Sequence, residues 1–314
     1  MQSDSPRVVV LGTGGTIAGT SALASDHVGY TAAQLGAAQL VAGLAEDRGI
    51  AIEVEQTAQI DSKDMDHAVW RILALAVERH LARPEVTAVV VTHGTDTLEE
   101  TAYFLQRVLA PRKPVVLVGA MRPASAVLAD GPQNLLDALS VAHEPGAQGV
   151  VAVLAGRVHG AFDIRKIHPY RLEAFGSGDA GVLADIEQGR VRRHRDWPRG
   201  DPIGTRCLAE RVADWPVVEI VTSHAGADAR TVRALRQAGV QGLVVAATGN
   251  GSVHDALESA LLEAQSAGVA VLRASRTLGG CIVDSGVPKL RSAGALTPAQ
   301  ARVELLLELL QRAL

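Results

Sequence analysis

The chain has 314 residues, which is too long for one ordinary hydrophobic core and fits two α/β domains. Apolar residues make up 47% of it and aromatic residues only 3%, so aliphatic side chains must fill a sizeable core. The net charge of -4 gives no electrostatic reason to expect nucleic acid or an anionic membrane as a partner.

The N-terminal part of the chain alternates between strand and helix patterns. Apolar, β-branched runs predict strands near residues 7–11, 50–56, 86–91, 114–118 and 149–154. Helical spacing of apolar residues predicts helices near 32–45, 65–81, 97–109 and 132–142. This alternation favours a parallel sheet that is covered by helices on both faces.

The pattern weakens between residues 157 and 212, where glycine, proline and charge dominate, and we place an interdomain linker at 191–212. A second alternating block follows, with strands near 216–222, 242–247 and 269–273 and helices near 228–238, 253–267 and 298–312. The predicted fold class is therefore α/β, with a larger parallel-sheet domain over 1–190 and a smaller domain over 213–314. The last helix carries leucines on more than one side, so we expect it in the core or at a subunit contact.

Two glycine–threonine turns each follow an apolar strand. The first, residues 12–19, reads GTGGTIAG, and the second, residues 92–97, reads THGTDT. Ligands of parallel sheets collect beyond the carboxyl ends of the strands. If both strands lie in one sheet, two threonine hydroxyls and one carboxylate meet in one crevice, a set that suits nucleophilic attack on a carbonyl.

The glycines of the first turn allow positive φ and can expose N–H groups to an anion or a developing oxyanion. A turn that only reverses the chain is the structural alternative. The spacing lacks the second half of a dinucleotide-binding fingerprint, and no lysine follows as a phosphate-binding loop requires.

Thr16 is the candidate nucleophile, and an alcohol needs a base or a relay at neutral pH. Thr95 and Asp96 supply part of such a relay. Lys166 is the candidate base, which requires that its neutral form be populated, and an ordinary surface lysine is the alternative. His93 could be a general base, although a hydrogen bond to the backbone that shapes the turn is the favoured interpretation.

A third polar cluster, residues 61–66, reads DSKDMD and precedes a predicted helix. Ser62 or Asp64 is an N-cap, or else the cluster holds a substrate carboxylate through a hydroxyl and nearby N–H groups. The histidines show no local spacing typical of a metal motif, so we expect no metal and no cofactor.

These motifs resemble those of the bacterial-type L-asparaginases, in particular the high-affinity (type II) branch, over nearly the whole chain. The matching segments are residues 13–19, 91–102, 118–123, 130–132, 249–251 and 296–302. The resemblance implies hydrolysis of L-asparagine to L-aspartate and ammonia, a small amino acid as the substrate, and tetramers built from tight dimers.

The resemblance also implies individual roles. Thr16 attacks the side-chain amide carbon and forms a β-aspartyl ester, and Tyr30 contacts Thr16 from a mobile loop that closes over the site. Thr95, Lys166 and Asp96 form the proton relay. The residues implied in substrate binding are Gly15, Ser62 for the α-carboxylate, Lys63, Asp96 for the α-ammonium and, from a neighbouring subunit, Asn250 and Asp284.

Two positions depart from the family pattern. Lys63 stands where many members carry glutamine or glutamate beside the substrate ammonium. It would repel that ammonium unless it turns away, pairs with Asp61 or Asp64, or reaches the substrate carboxylate. The segment 279–285 is also shorter than in the family, and Asp284 is the replacement for the carboxylate that a neighbouring subunit often supplies.

The two cysteines, Cys207 and Cys281, imply no disulfide framework. No apolar stretch is long enough to span a bilayer, and the N-terminus lacks a basic-then-apolar secretion pattern, so we expect a cytoplasmic protein.

The nearest functional alternative is a dual glutaminase–asparaginase. The others are an asparaginase-like subunit of a transfer-RNA-dependent amidotransferase, a non-catalytic amino-acid sensor and a nucleotide-binding dehydrogenase. Intact Thr16, Thr95, Asp96 and Lys166 argue against the sensor.

Overall fold

The computed structural model describes residues 6–42 and 51–313. The chain forms two compact units that divide between Thr205 and Arg206. The sheets and helices of each unit are described separately below.

The larger unit is built on an eight-stranded sheet with the order β10-β9-β6-β5-β4-β3-β1-β2. Two further strands, β7 and β8, form a separate two-stranded sheet. In chain order the strands are β1 (Arg7–Gly14), β2 (Ala51–Ile60), β3 (Val86–Thr92), β4 (Pro114–Val118), β5 (Gly149–Leu154), β6 (Arg157–Gly160), β7 (Arg165–Lys166), β8 (Phe175–Gly176), β9 (Ala184–Glu187) and β10 (Arg190–Arg193).

The strands from β5 to β2 in this order are mutually parallel, as predicted. They form because their apolar runs are buried on both faces; Val8, Val89 and Val116, for example, have no exposed surface. Strands β6, β9 and β10 extend the same sheet in the antiparallel sense, which the sequence did not predict. Strand β10 overlaps the start of the segment 191–212 that we expected to be a linker. The predicted domain boundaries stay predictions.

Helices pack against this sheet. They are α1 (Ala37–Val41), α2 (His67–Leu81), α3 (Leu98–Leu109) and α4 (Gly131–Ala142). The carboxylate of Asp66 caps α2 by accepting from the N–H of Val69 at 2.8 Å. The helix predicted over 32–45 is shorter in the described residues, because the chain turns to a non-helical conformation at Ala42. Residues 43–45 of that prediction lie outside the described part.

The smaller unit has a four-stranded parallel sheet in the order β11-β12-β13-β14. Its elements are β11 (Val218–Thr222), α5 (Arg230–Gln237), β12 (Gly242–Ala247), α6 (Asp255–Ser266), β13 (Ala270–Ser275), β14 (Arg291–Ser292) and α7 (Pro298–Arg312). Helix α7 begins with a capping box between Thr297 and Gln300 and packs on β11, β12 and β13. Its buried leucines therefore belong to the core of this unit, one of the two positions predicted for them: Leu305, Leu306, Leu307 and Leu310.

The two units together confirm the predicted two-domain α/β class. Across residues 6–42 and 51–313, no helix combines the length and the apolar character that crossing a membrane requires.

Candidate active site

Three neighbouring parallel strands end at the same edge of the larger sheet. Strand β1 lies between β2 and β3, with Gly12 opposite Thr92 and Gly14 opposite Ile60. The residues that follow these strands are therefore neighbours in space. This register places the segments that carry Thr16, Ser62 and Thr95 beside one another.

Glycine is required where the two turns meet. Gly14 and Gly15 have φ of 100° and 83°, and a Cβ on Gly15 would lie 2.3 Å from the Cα of Gly94. A Cβ on Gly94 would lie 2.3 Å from Oγ of Ser62. The N–H of Gly15 donates to the carbonyl of Ile60 at 2.9 Å, so this N–H is not exposed to an oxyanion as the glycine pattern had indicated. The role of Gly15 is to let the backbone of the first turn approach the backbone of the second turn at Gly94.

Thr16 shares a hydrogen bond with Tyr30. The two hydroxyl oxygens are 2.7 Å apart, and Thr16 is 7% exposed. Burial is the largest influence on the phenol and raises its pKa, as do the nearby carboxylates of Asp61 and Asp96, while the hydrogen bond to Thr16 lowers it. Tyr30 is therefore a protonated phenol at neutral pH.

Hydrogen bonds hold the segment 20–31, which carries Tyr30. Thr20 and Thr31 exchange two backbone hydrogen bonds of 2.9 and 2.8 Å, and Ser21 donates its N–H to Oγ of Ser125 at 2.7 Å. These contacts hold both ends of the segment that carries Tyr30 over Thr16.

Lys166 joins the two polar residues of the second turn. Its amine donates to Oγ1 of Thr95 at 2.9 Å and to Oδ1 of Asp96 at 2.5 Å. The Lys166 side chain is 19% exposed, unlike an ordinary surface lysine, and Thr95 is 5% exposed. Asp96 keeps about half of its side chain accessible, so it can contact both Lys166 and a ligand.

The cluster at residues 61–66 forms a short 3-10 turn over Ser62–Asp64. Asp61 caps this turn and Asp66 caps the following helix α2, so neither Ser62 nor Asp64 is an N-cap. Ser62 is buried; its Oγ accepts from the N–H of Asp96 at 3.2 Å, and its carbonyl accepts from Oγ1 of Thr97 at 2.8 Å. Ser62 thus lies directly beside the candidate relay.

Lys63 pairs with its sequence neighbour. Its amine lies 2.5 Å from Oδ2 of Asp64, and that hydrogen bond is the main reason why its pKa is raised. The nearby carboxylates of Asp61 and Asp96 act in the same direction. Of the arrangements expected from the sequence, the structure shows the pair with Asp64.

His93 is fully buried, and its Nδ1–H donates to the carbonyl of Gly94 at 2.6 Å. Burial lowers the pKa of His93 to about 4, with the hydrogen bond to Gly94 acting against this shift. A neutral imidazole that fixes the turn agrees with the favoured interpretation of this residue.

Asn250 and Asp284 lie together in the smaller unit. The amide of Asn250 exchanges hydrogen bonds of 2.9 and 2.8 Å with the backbone of Val283. Arg273 forms an ion pair with Asp284 and donates to the carbonyl of Gly251 at 3.1 Å. These residues line a cavity of about 290 Å³. The two residues predicted to serve a neighbouring subunit thus belong to one hydrogen-bonded group.

Sequence reasoning gave no role to Glu99, although it falls inside the second matching motif. Its Oε2 accepts from the backbone N–H of Lys166 at 2.6 Å. Sequence reasoning also gave no role to Asn134. The Nδ2 of Asn134 donates to the carbonyl of Gly119 at 2.9 Å and so fixes the turn that packs on Thr95. Neither contact leaves a local pattern, because each joins segments that are distant in sequence.

Within the part of the chain that the structure describes, no group of three or more His, Cys, Asp or Glu side chains is placed to hold a metal ion. The chemistry available at this edge of the sheet consists of two buried threonine hydroxyls, a phenol, an amine and a carboxylate. A hydroxyl nucleophile with such neighbours can transfer an acyl group from an amide to water.

Comparison with known proteins places this site in a family. The family model described as "Asparaginase, N-terminal" matches residues 7–199, and the model described as "Glutaminase/Asparaginase C-terminal domain" matches residues 217–313.

Relatives match over nearly the full length. "Probable L-asparaginase periplasmic" of Haemophilus influenzae is 38% identical over 98% of this chain and 90% of its own length. "L-asparaginase 2" of Escherichia coli is 35% identical over 98% of this chain and 89% of its own. The crystal structure of "Probable Cytoplasmic L-asparaginase from Campylobacter jejuni" superposes with a TM-score of 0.90 at 35% identity, covering 97% of this chain and 95% of that one. The chain therefore belongs to the asparaginase family.

Proposed function

We propose that the protein is an L-asparaginase, which hydrolyses L-asparagine to L-aspartate and ammonia through a threonine-linked acyl-enzyme. One observation carries the proposal. The amine of Lys166 donates hydrogen bonds to Thr95 and Asp96 at the sheet edge where the hydroxyl of Thr16 also lies. These are the groups that activation of an alcohol and protonation of a leaving amine require.

In the first half-reaction, the Oγ1 of Thr16 attacks the side-chain amide carbon of asparagine. The new C–O bond makes a β-aspartyl ester, the C–N bond breaks, and the hydroxyl proton passes through the neighbouring polar groups to the leaving nitrogen, which departs as ammonia. In the second half-reaction, water attacks the ester, aspartate leaves, and Thr16 regains its proton.

Two groups at the sheet edge suit the zwitterionic end of the substrate. The exposed half of Asp96 offers a charge-assisted hydrogen bond to an α-ammonium. The buried hydroxyl of Ser62, which lies beside the backbone N–H of Asp96, suits an α-carboxylate. Gly15 acts indirectly, because it lets the turn that carries Thr16 pack against Gly94 of the second turn.

The direct test measures ammonia release from L-asparagine between pH 6 and 9. Thr16→Ala and Thr95→Val should each lower kcat by at least about 100-fold while the fold is kept. Thr231→Ala, on the exposed surface of α5, is the matched control and should keep full turnover. Near-normal turnover in Thr16→Ala would show that another group is the nucleophile. Binding heat without continuing reaction heat in calorimetry would instead support an amino-acid sensor.

A dual glutaminase–asparaginase is the second candidate. "Glutaminase-asparaginase" of Pseudomonas fluorescens is 37% identical over 88% of this chain and 77% of its own length. Acceptance of one extra methylene changes transition-state binding by about 1–3 kcal/mol. Comparison of kcat/KM for glutamine and asparagine on the same preparation decides between the two.

We further propose a homotetramer built from dimers, in which Asn250 and Asp284 complete the site of a neighbouring subunit. The fixed group around Val283 supports this proposal, because it presents an amide and a carboxylate as one unit. Mixed oligomers of Thr16→Ala and Asn250→Ala subunits should regain part of the activity that each variant lacks alone. A monomeric mass in light scattering, or no recovery of activity, would contradict it.

The cytoplasm is our proposed compartment. No disulfide joins Cys207 and Cys281, which suits a reducing environment. The names of the relatives point to both periplasm and cytoplasm, so fractionation of the source cells is the test.

A further inference from the structure

The lysine of the proposed relay lies on a two-stranded sheet. Lys166 of β7 pairs with Phe175 of β8, and the next residue, Ile167, donates its N–H to the carbonyl of Ala174 at 2.8 Å. The backbone N–H of Lys166 donates instead to Oε2 of Glu99 at 2.6 Å. A side-chain carboxylate therefore occupies the place at which the carbonyl of a third strand would accept this N–H.

Glu99 belongs to the same segment as the groups that hold the lysine amine. Thr95 and Asp96 follow β3 directly, and Glu99 lies in the first turn of α3. The segment thus contacts Lys166 at both ends: Thr95 and Asp96 accept from Nζ, and Glu99 accepts from the backbone N–H. If a lysine is held only at its amine, its four-carbon side chain and its backbone can still move. A second contact, at the backbone N–H, removes much of this freedom.

The charges around Glu99 suit a firm contact. Arg165 and Lys166 are the cations near its carboxyl, and Glu100 is the nearby acid. Burial raises the pKa of Glu99, and the hydrogen bond from the Lys166 backbone acts against this shift. In either protonation state the group keeps an oxygen that can accept the N–H of Lys166.

We infer that Glu99 is a positioning residue of the site: it fixes the backbone of Lys166 so that the lysine amine meets Thr95 and Asp96. The kinetic consequence rests on the proposed asparaginase function, whereas the placement of Lys166 does not.

The kinetic test separates the acceptor oxygen from the carboxylate charge. Glu99→Ala removes the acceptor and should lower kcat for asparagine roughly 10–100-fold, because small displacements of a catalytic group are costly. KM should change by less than about threefold, since the proposed substrate contacts remain. Glu99→Gln keeps a carbonyl oxygen and should restore kcat to within about threefold of the parent. Glu78→Ala, an exposed helical glutamate, is the control.

A second measurement does not depend on turnover. The chain has four lysines, Lys63, Lys113, Lys166 and Lys289, and competitive acetylation followed by peptide mass spectrometry ranks their reactivity. Relative to exposed Lys289, Lys166 should become more reactive in Glu99→Ala and stay protected in Glu99→Gln. If Glu99→Ala does not fold, Glu99→Leu fills the same space without an acceptor.

The outcomes separate the two proposals. Equal loss of kcat in Glu99→Ala and Glu99→Gln would mean that charge rather than the acceptor matters, and would overturn the positioning role. Unchanged acetylation of Lys166 in Glu99→Ala would do the same. The parent protein could release no ammonia while acetylation of Lys166 increases in Glu99→Ala and not in Glu99→Gln. In that case the proposed function fails and the positioning role stands.

Discussion

The phenol of Tyr30 sets the environment of the Thr16 hydroxyl. Because the pKa of this phenol is raised, it stays a neutral hydroxyl across the neutral range and can donate or accept a hydrogen bond. We expect Tyr30→Phe to lower kcat roughly 10–100-fold with a smaller change in KM. Steady-state kinetics on asparagine measures both, and Thr231→Ala, on the exposed surface of α5, is the control. Unaltered kcat in Tyr30→Phe would mean that this contact serves the fold alone.

The position of Lys63 makes substrate affinity sensitive to one exposed cation. Its amine donates a hydrogen bond to Asp64. The carboxylate of Asp96, which is the proposed ammonium site, also contributes to the raised pKa of Lys63. Lys63→Gln should therefore lower KM for asparagine by up to about fivefold at low salt, with kcat nearly unchanged. Measurements at two ionic strengths check this, since salt should shrink the effect. A KM that rises in Lys63→Gln would indicate a contact between this lysine and the substrate carboxylate.

Residue types at the ends of apolar strands predicted one site for Thr16, Thr95 and Asp96, and the pairing of β1 with β3 brings the segments that carry them side by side. The chemistry of an activated alcohol restricts the choice of residues, and glycine-rich turns mark where the backbones approach closely. Lys166 was a candidate base from the residues alone, with an ordinary surface lysine as an equal alternative, and the family resemblance gave it a role in the relay. The partner of Lys63 and the role of Glu99 depend on side-chain placement across segments, which spacing does not encode.

At the scale of elements, a charged network joins β2 to the end of α2. Arg83 binds Glu53 through two hydrogen bonds of 2.8 Å, and the buried His80 contacts Glu55 at 2.7 Å. The hydrogen bond from Arg83 is the main reason why the pKa of Glu53 is lowered to about 2. The unfolded chain takes up this proton nearer pH 4.5, so the contribution of Glu53 to stability is complete above that pH and is lost as the pH falls towards 2.

Glu53→Gln should therefore lower the melting temperature at pH 7, and the difference from the parent should shrink steadily below pH 4.5. Thermal unfolding of both proteins across this range is the measurement. Glu219→Gln, on the exposed surface of β11, is the control. A difference that is independent of pH would mean that the network stabilises by packing rather than by charge.

Long apolar elements were predictable, whereas short ones were not. Strands β1, β3 and β4 are continuous aliphatic runs that only a sheet buried on both faces explains. Strands β9 and β10 have four residues each and carry charged side chains, so alternation and run length give no signal. They form because β6, which itself pairs with β5, presents a free edge to β9, and β9 in turn pairs with β10.

At the scale of the whole molecule, the two-unit plan followed from length and from two separate alternating blocks, but the response to acid depends on buried side chains. The larger unit buries His80, which contacts Glu55, and two further histidines, His93 and His159. Burial is the main cause that lowers the pKa of each of these two to about 4, and Arg157 adds to the effect at His159. The Nδ1 of His159 lies 2.8 Å from Oγ of Ser177.

The unfolded chain binds a proton at each of these two histidines near pH 6.5, and the folded chain only near pH 4, so protonation favours unfolding. The free energy of unfolding of the larger unit should fall as the pH drops from 6.5 to 4, by up to about 3 kcal/mol for each histidine. Hydrogen exchange at pH 7 and pH 5 should therefore show β3 and β6 losing protection more than β12, whose unit lacks such a group among its described residues. His159→Gln should reduce this pH dependence, whereas His224→Gln, on the exposed surface of the smaller unit, should leave it unchanged. Equal losses of protection in β3, β6 and β12 would mean that acid acts on the whole molecule at once, through surface charge rather than through these two buried imidazoles.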